Sequence, residues 1–166
     1  ITSTQAFCSL WLMPRLYKFA IQHPDINIKI LGSNLAEDIQ KKHIDLAIRF
    51  SSKSELNLQD GLYWERFGED LTLPVCSPDT MQKYRLKTPA DLLKAPLVMV
   101  SHVNESIVTW NEWFEHCGLV DHRKESNKME VTSSDMSISA IITGDAIGLI
   151  SKAMSAPFRK TGQLIE

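Results

Sequence analysis

Hydroxyl groups and one guanidinium, each standing where a strand gives way to a turn, are the chemistry this chain offers. Thr4, Ser33, Ser101, Ser133, Ser134 and Ser151 follow short apolar runs and precede stretches of helical character. The first turn of a helix presents N–H groups without partners, and a hydroxyl beside them completes a site for a small anion. Ser and Thr are also the preferred helix caps, so any one of these residues alone reads first as a cap. Their recurrence at strand ends in both halves of the chain is what points to a cleft for a small polar ligand. Arg49 closes the run His43-Ile44-Asp45-Leu46-Ala47-Ile48-Arg49-Phe50. Ligands of open α/β sheets sit beyond the carboxyl ends of strands, which makes Arg49 a candidate partner for an anion. The competing reading is an arginine at a sheet edge, paired with a nearby carboxylate.

Catalytic signatures are missing from the sequence. It has no Gly-x-Ser-x-Gly elbow, no phosphate loop and no dinucleotide fingerprint; Gly144 and Gly148 have the wrong spacing for one. His116, Cys117 and His122 lack a fourth ligand at usable spacing, so no metal is expected, and no other cofactor. Asp45 is a single carboxylate and makes no acid–base pair.

These residues need elements to position them. The run Ile44–Phe50 is too short for a helix and reads as a buried strand of a sheet covered on both faces. Before it, Ile1–Ser3 reads as the end of a strand, Phe7–His23 as a helix kinked or restarted at Pro14, and Ile26, Ile28 and Ile30 as a half-buried strand. Asn34, with Glu37 three residues on, has the spacing of a capped short helix to Lys42. Strand–helix–strand–helix–strand within this stretch is the pattern of a parallel sheet. Further on, Leu62–Phe67, Leu71–Cys76, Leu97–Val100, Lys128–Thr132 and Ala146–Ile150 read as strands. Helices are expected after Ser77-Pro78-Asp79 and Thr88-Pro89-Ala90-Asp91, through Trp110–Cys117 with Gly118 as its stop, over Ser133–Thr143 and after Ser151. The turn Gly68-Glu69-Asp70 is the best internal boundary, which divides the chain into residues 1–68 and 69–166.

Composition bounds the partners. The 166 residues are 43% hydrophobic and 23% charged, ordinary for a globular protein with one sizeable core or two small lobes. A net charge of −2 argues against holding a nucleic-acid duplex by neutralising phosphates. No apolar run approaches the roughly 20 residues that span a bilayer. Cys8, Cys76 and Cys117 are odd in number and far apart, as expected of reduced thiols in a cytoplasmic protein. The chain opens at Ile1 inside a strand, without Met, and is read as a fragment.

Several segments in order resemble a known family. Phe7-Cys8-Ser9-Leu10-Trp11-Leu12-Met13-Pro14-Arg15-Leu16, His23-Pro24-Asp25-Ile26, Ile44 to Phe50, Pro74-Val75-Cys76-Ser77-Pro78, Thr88-Pro89-Ala90-Asp91-Leu92 and Ala140 to Gly148 are similar to the effector-binding domain of LysR-type transcriptional regulators. The likeness covers nearly the whole chain and is greatest to the subgroup of the glycine-cleavage activator and the β-lactamase regulator. It implies an α/β, two-lobed fold of the periplasmic-binding-protein type (type 2). Crossover strands would join the lobes, and a small polar or anionic metabolite would bind between them. It also implies an N-terminal winged helix-turn-helix domain that would carry all DNA contact and that this chain lacks. The resemblance also implies a C-terminal strand and helix that complete the first lobe; these are expected to be missing here, either cut or disordered.

Carried over by position, the effector site falls on Thr4, Gln5, Ala6, Ser33, Arg49, Phe50, Ser101, His102, Ser133 and Ser134. Ala6 departs from the family, where Ser or Thr is frequent, so one hydroxyl donor is lost. Family members pair as homodimers, and tetramers at full length. The matching surface here is Tyr17, Phe19, Ile28 and Ile30, together with the last helix. The resulting expectation is a cytoplasmic, non-catalytic ligand sensor for transcription regulation; the alternative is the solute-binding protein of a transporter.

Overall fold

A computed structural model describes residues 1–35, 37–50, 61–101, 108–120 and 128–166. The chain is α/β, and its described residues divide into two compact units, those up to Glu69 and those from Asp70 onward.

The first unit is built on β1 (Thr2–Ser3), which is parallel to β2 (Leu31–Gly32) in the register Thr2 to Leu31 and Ser3 to Gly32. On its other side Thr2 bridges Ala47: the Thr2 N–H donates to the Leu46 carbonyl, and the Ile48 N–H donates to the Thr2 carbonyl, both at 2.9 Å. The side chains of Thr2 and Ser3 are fully buried and still satisfied. Thr2 Oγ1 donates to the Leu31 carbonyl at 2.9 Å and Ser3 Oγ to the Ile48 carbonyl at 2.7 Å. Hydroxyls thus lock the centre of this sheet to both neighbours, where an unpaired polar group would be costly.

The first helix runs as α1 (Gln5–Phe7), a π turn (Cys8–Leu12) and α2 (Met13–Gln22). Pro14 accounts for the break. It has no N–H, and its ring excludes the carbonyl four residues back, so the ladder widens and Met13 N–H donates to the Cys8 carbonyl. Arg15 compensates: its Nη1 donates to the Trp11 carbonyl at 2.9 Å, and its guanidinium lies 4.0 Å from the centre of the Trp11 ring. Ala6, Phe7, Cys8 and Leu12 form the buried side, whereas α2 buries no residue fully and leaves Tyr17 and Ile21 about two-thirds exposed.

Four sequence expectations are corrected here. The alternating Ile26, Ile28 and Ile30 form no strand; pairing with β1 is confined to Leu31–Gly32, and alternation alone does not fix a strand. Residues 44–50 form no strand and bridge β1 only at Ala47, and Leu46 is 50% exposed, so this stretch is not covered on both faces. The segment from Ile39 to His43 is turn, not helix, and Asn34 caps a different element: its Oδ1 accepts from the Gln5 N–H at 3.2 Å. Leu62–Phe67 forms no strand; its Tyr63 and Phe67 are largely exposed, and alternation without a ladder partner does not fix a strand.

The second unit has a four-stranded sheet in the order β3 (Thr72–Val75), β6 (Ile147–Ser151), β4 (Leu97–Val100), β5 (Lys128–Val131). β6, β4 and β5 are parallel and β3 is antiparallel to β6, so the sheet is mixed. Its helices are α3 (Pro78–Tyr84), a 3₁₀ turn (Pro89–Lys94), α4 (Trp110–His116), α5 (Ser134–Thr143) and α6 (Lys152–Lys160). Trp110 and Phe114 pack with Leu97, Ile147 and Leu92 in the core, and the Trp110 indole N–H is satisfied by the Val98 carbonyl at 2.9 Å. Gly148 lets α5 approach β6, since a Cβ there would lie 2.6 Å from Ile141 Cδ1 and 2.9 Å from Ser137 Oγ. Most helix starts are closed locally. Ser77 accepts from Thr80 N–H, Thr109 from Glu112 N–H, and the Asp91 carboxylate accepts from the N–H groups of Lys87 and Thr88.

Candidate functional site

In the first unit, the carried-over residues gather where β1 ends. Thr4 is the cap residue of α1, in extended conformation, and its hydroxyl makes no cap bond. The next amide, Gln5 N–H, is taken by Asn34. Ser33 is fastened by its backbone, its N–H donating to the Ser3 carbonyl at 2.9 Å, and its hydroxyl donates to the Leu35 carbonyl at 3.3 Å. Arg49 joins these turns. Its Nη1 donates to the Ser33 carbonyl at 2.7 Å and its Nη2 to Thr2 Oγ1 at 3.1 Å. Among the described residues no carboxylate lies within ion-pair distance of Arg49. Burial pushes its pKa down; Glu37 and then Cys8 act against that shift at longer range. Glu37 is itself held below the ordinary carboxylate range, first by its bond to Lys42 and then by Ser33. The guanidinium is therefore a half-buried cation, oriented by a carbonyl and a hydroxyl, with no carboxylate in contact among the described residues.

Two residues of this group sit differently. Ala6 is 4% exposed and belongs to the core. Phe50 sets its ring edge-on against Phe7, with centroids 5.4 Å apart, and Phe7 stacks on Trp11 at 4.9 Å.

In the second unit, Ser101 follows β4 and Ser133 follows β5. The register pairs Val100 with Val131, and Ser101 N–H donates to the Val131 carbonyl at 2.8 Å, so both serines stand just past the carboxyl ends of neighbouring parallel strands. Ser133 is the cap residue of α5, is 7% exposed, and makes no side-chain cap bond; Ser134 beside it is half-buried. His102 lies outside the described residues. Ser151, another strand-end hydroxyl, turns out to be a cap: it accepts from Met154 N–H at 3.1 Å and donates to the Asp70 carboxylate.

Sequence reasoning overlooked Thr2, gave Asn34 a different helix to cap and read Asp70 only as part of a turn. Each makes its key contact with a residue 29 or more positions away, at 29 for Thr2 and Asn34 and 81 for Asp70. Local spacing carries no signal for such pairs. Among the described residues no three His, Cys, Asp or Glu side chains converge on a metal-sized site, and no helix is long and apolar enough to cross a membrane.

Known proteins share this arrangement. The HTH-type transcriptional activator AmpR of Citrobacter koseri is 28% identical over 99% of this chain, and the glycine cleavage system transcriptional activator of Escherichia coli K12 is 29% identical over 96% of it. The chain spans about half the length of these relatives, 54% and 50%. The effector domain of the transcriptional regulator AmpR of Pseudomonas aeruginosa superimposes with a TM-score of 0.78 at 26% identity, over 99% of this chain and 75% of that one. The regulatory domain of CrgA from Neisseria meningitidis shares the fold, with a TM-score of 0.76 at 17% identity, over 99% and 77% of the two chains. Residues 1–166 match the LysR substrate binding domain model from end to end, and the chain belongs to that family as an effector-binding domain.

Proposed function

We propose that this domain senses a small anionic or zwitterionic metabolite for a cytoplasmic, LysR-type transcriptional regulator, and that DNA is contacted only by a separate helix-turn-helix domain. The observation that supports an anionic effector is Arg49, a half-buried cation with no carboxylate in contact among the described residues. A charge desolvated without a counter-ion favours binding an anion. Effector recognition uses Thr4, Gln5, Ser33, Arg49 and Phe50 of the first unit and Ser101, His102, Ser133 and Ser134 of the second, with Ala6 contributing backbone only. Binding selects one conformation of the domain, and the DNA-binding part reads that selection through a homodimer. The exposed side of α2, with Tyr17 and Phe19, and Ile28 and Ile30 beside it are the dimer surface in this reading. The relatives are named transcriptional activators, which favours a regulator over a transport protein.

Thermal-shift screening of amino acids, organic acids and acidic peptides tests the effector class. A ligand present at 100 times its Kd stabilises the folded protein by about 2.7 kcal/mol. The reading requires at least one anionic compound to raise the melting temperature of the wild type and to fail with Arg49→Ala. Stabilisation by uncharged compounds only would refute it.

A further inference from the structure

We propose that Glu37 is the negative pole of the first-unit site, and that the ligand taken there carries an ammonium group as well as a carboxylate. This rests on the effector reading above and narrows it from anions in general to zwitterions of the amino-acid type.

Arg49 and Glu37 meet at Ser33. The guanidinium donates to the Ser33 carbonyl at 2.7 Å and to Thr2 Oγ1 at 3.1 Å. The Glu37 carboxylate lies against the hydroxyl of the same serine, which also reaches the Leu35 carbonyl at 3.3 Å. Each charge acts on the other: Glu37 favours the charged guanidinium, and Arg49 favours the ionised carboxyl. They nevertheless form no ion pair. Arg49 is fastened by its two bonds, and Glu37 is fastened by Lys42 Nζ. Opposite charges that stand near each other and are held apart suit a ligand that carries both signs, since each pole can take one charge-assisted hydrogen bond from it or give one to it.

A fastening role alone does not account for Glu37. Asp38, the next residue, shows what a turn carboxylate does here. It accepts from Lys41 N–H at 3.0 Å, pairs with Lys41 Nζ at 3.2 Å, and its side chain is 37% exposed. Glu37 takes no backbone amide among the described residues, and its side chain is 13% exposed, against 53% for the lysine that pairs with it. A covered carboxylate favours a cation beside it, and a pair with a lysine that stands mostly in water is weak. An ammonium arriving at Ser33 therefore replaces Lys42, which returns to solvent. A plain anion gains nothing from Glu37 and is repelled by it, so the pair discriminates by repulsion as well as by attraction.

Titration of the whole chain with matched probes, followed by amide NMR, tests this. The probes are alanine with propionate and glutamate with glutarate, each pair differing by one ammonium group. Dissociation constants are read from the Ser33 and Arg49 amides, with Arg49→Ala as the control for the site. In the wild type each amino acid should bind about tenfold more tightly than its deaminated partner, the scale of one charge-assisted bond. Glu37→Gln, similar in shape and uncharged, should bring the two members of each pair to within about twofold and improve the binding of propionate and glutarate. Lys42→Met keeps Glu37 and removes only its displaceable partner, so the preference for the ammonium should persist or grow. A preference that survives Glu37→Gln, or one that disappears with Lys42→Met, would overturn the assignment. Arg49-dependent binding with no preference for the ammonium refutes the zwitterion and leaves the anionic effector standing. If no probe shifts these amides in an Arg49-dependent way, the effector reading itself fails, and the role of Glu37 with it.

Discussion

Arg49→Ala separates the two tasks assigned to that residue. In the free domain the guanidinium makes two hydrogen bonds, 2.7 Å to the Ser33 carbonyl and 3.1 Å to Thr2 Oγ1. Bonds from a charged donor contribute roughly 1.5–3 kcal/mol each when well buried. Arg49 is only half-buried, and the downward pull of burial on its pKa shows that its charge carries a desolvation cost. We therefore expect a net loss of about 1–2 kcal/mol in the first unit. That corresponds to a fall of about 2–8 °C in melting temperature for a chain of this size. For the effector the expected loss is at least about 1.4 kcal/mol, tenfold in affinity. Differential scanning fluorimetry measures the first quantity. Isothermal titration at a temperature where both proteins are folded measures the second, with whichever anion the screen identifies. Arg49→Lys keeps the charge and loses the fork, so it should lose stability like alanine and recover part of the affinity. A stability loss with unchanged effector affinity would make Arg49 a fastening of the Ser33 turn and nothing more. That outcome would refute the anion reading, because no other cation has been assigned to the effector.

Gly148→Ala should destabilise the second unit by about 1–3 kcal/mol, because the added methyl would enter the space of Ile141 and Ser137; chemical denaturation measures it, and an unchanged midpoint would show that α5 can move away. Glu112 is held below its ordinary 4.5, first by the Thr109 N–H and then by its hydroxyl. Its stabilising share is therefore complete above that value and is lost as pH falls through the lower folded value, so Glu112→Gln should flatten the acid limb of a denaturation series below about pH 4.5 and leave it unchanged above. Tyr17→Glu should turn a dimer into a monomer in sedimentation at tens of micromolar, about the concentration of a weak pair; a mutant that dimerises as well as the wild type would place the contact elsewhere.

The sequence was most informative where structure is decided within one turn of chain. Thr88 with Asp91, Ser77 with Pro78, and Gly118 after α4 are legible because the groups that satisfy one another are neighbours in sequence. Trp110 and Phe114 announced a buried face by helical spacing, and they are among the most buried residues of the described chain. Reading failed where a partner had to arrive from far away. Ile26–Ile30 and Leu62–Phe67 have strand-like patterns, yet a strand exists only if a ladder is available. Asn34 has the type and spacing of a cap and does cap, but for Gln5 across the sheet edge. The last interstrand pairing, Cys76 with Ile165, joins positions that no local pattern connects.

The hydroxyls sort in the same way, and the sorting narrows where recognition falls. Ser77, Thr109 and Ser151 have the composition of anion sites but spend their oxygens on the amides of their own helices. Thr4 and Ser133 occupy the same position at a helix start and make no such bond, and Ser133 does so while almost fully buried. A buried hydroxyl at a helix start usually accepts from the helix, because that bond offsets its own desolvation as well as that of the amide. The Thr4 and Ser133 hydroxyls are therefore not spent on the amides of their own helices. Ser33 separates the two classes, since its hydroxyl and carbonyl are both engaged and its carbonyl is what aims Arg49. Effector specificity in the first unit should therefore respond more to Arg49 and Thr4 than to Ser33, whose replacement acts through the position of the guanidinium.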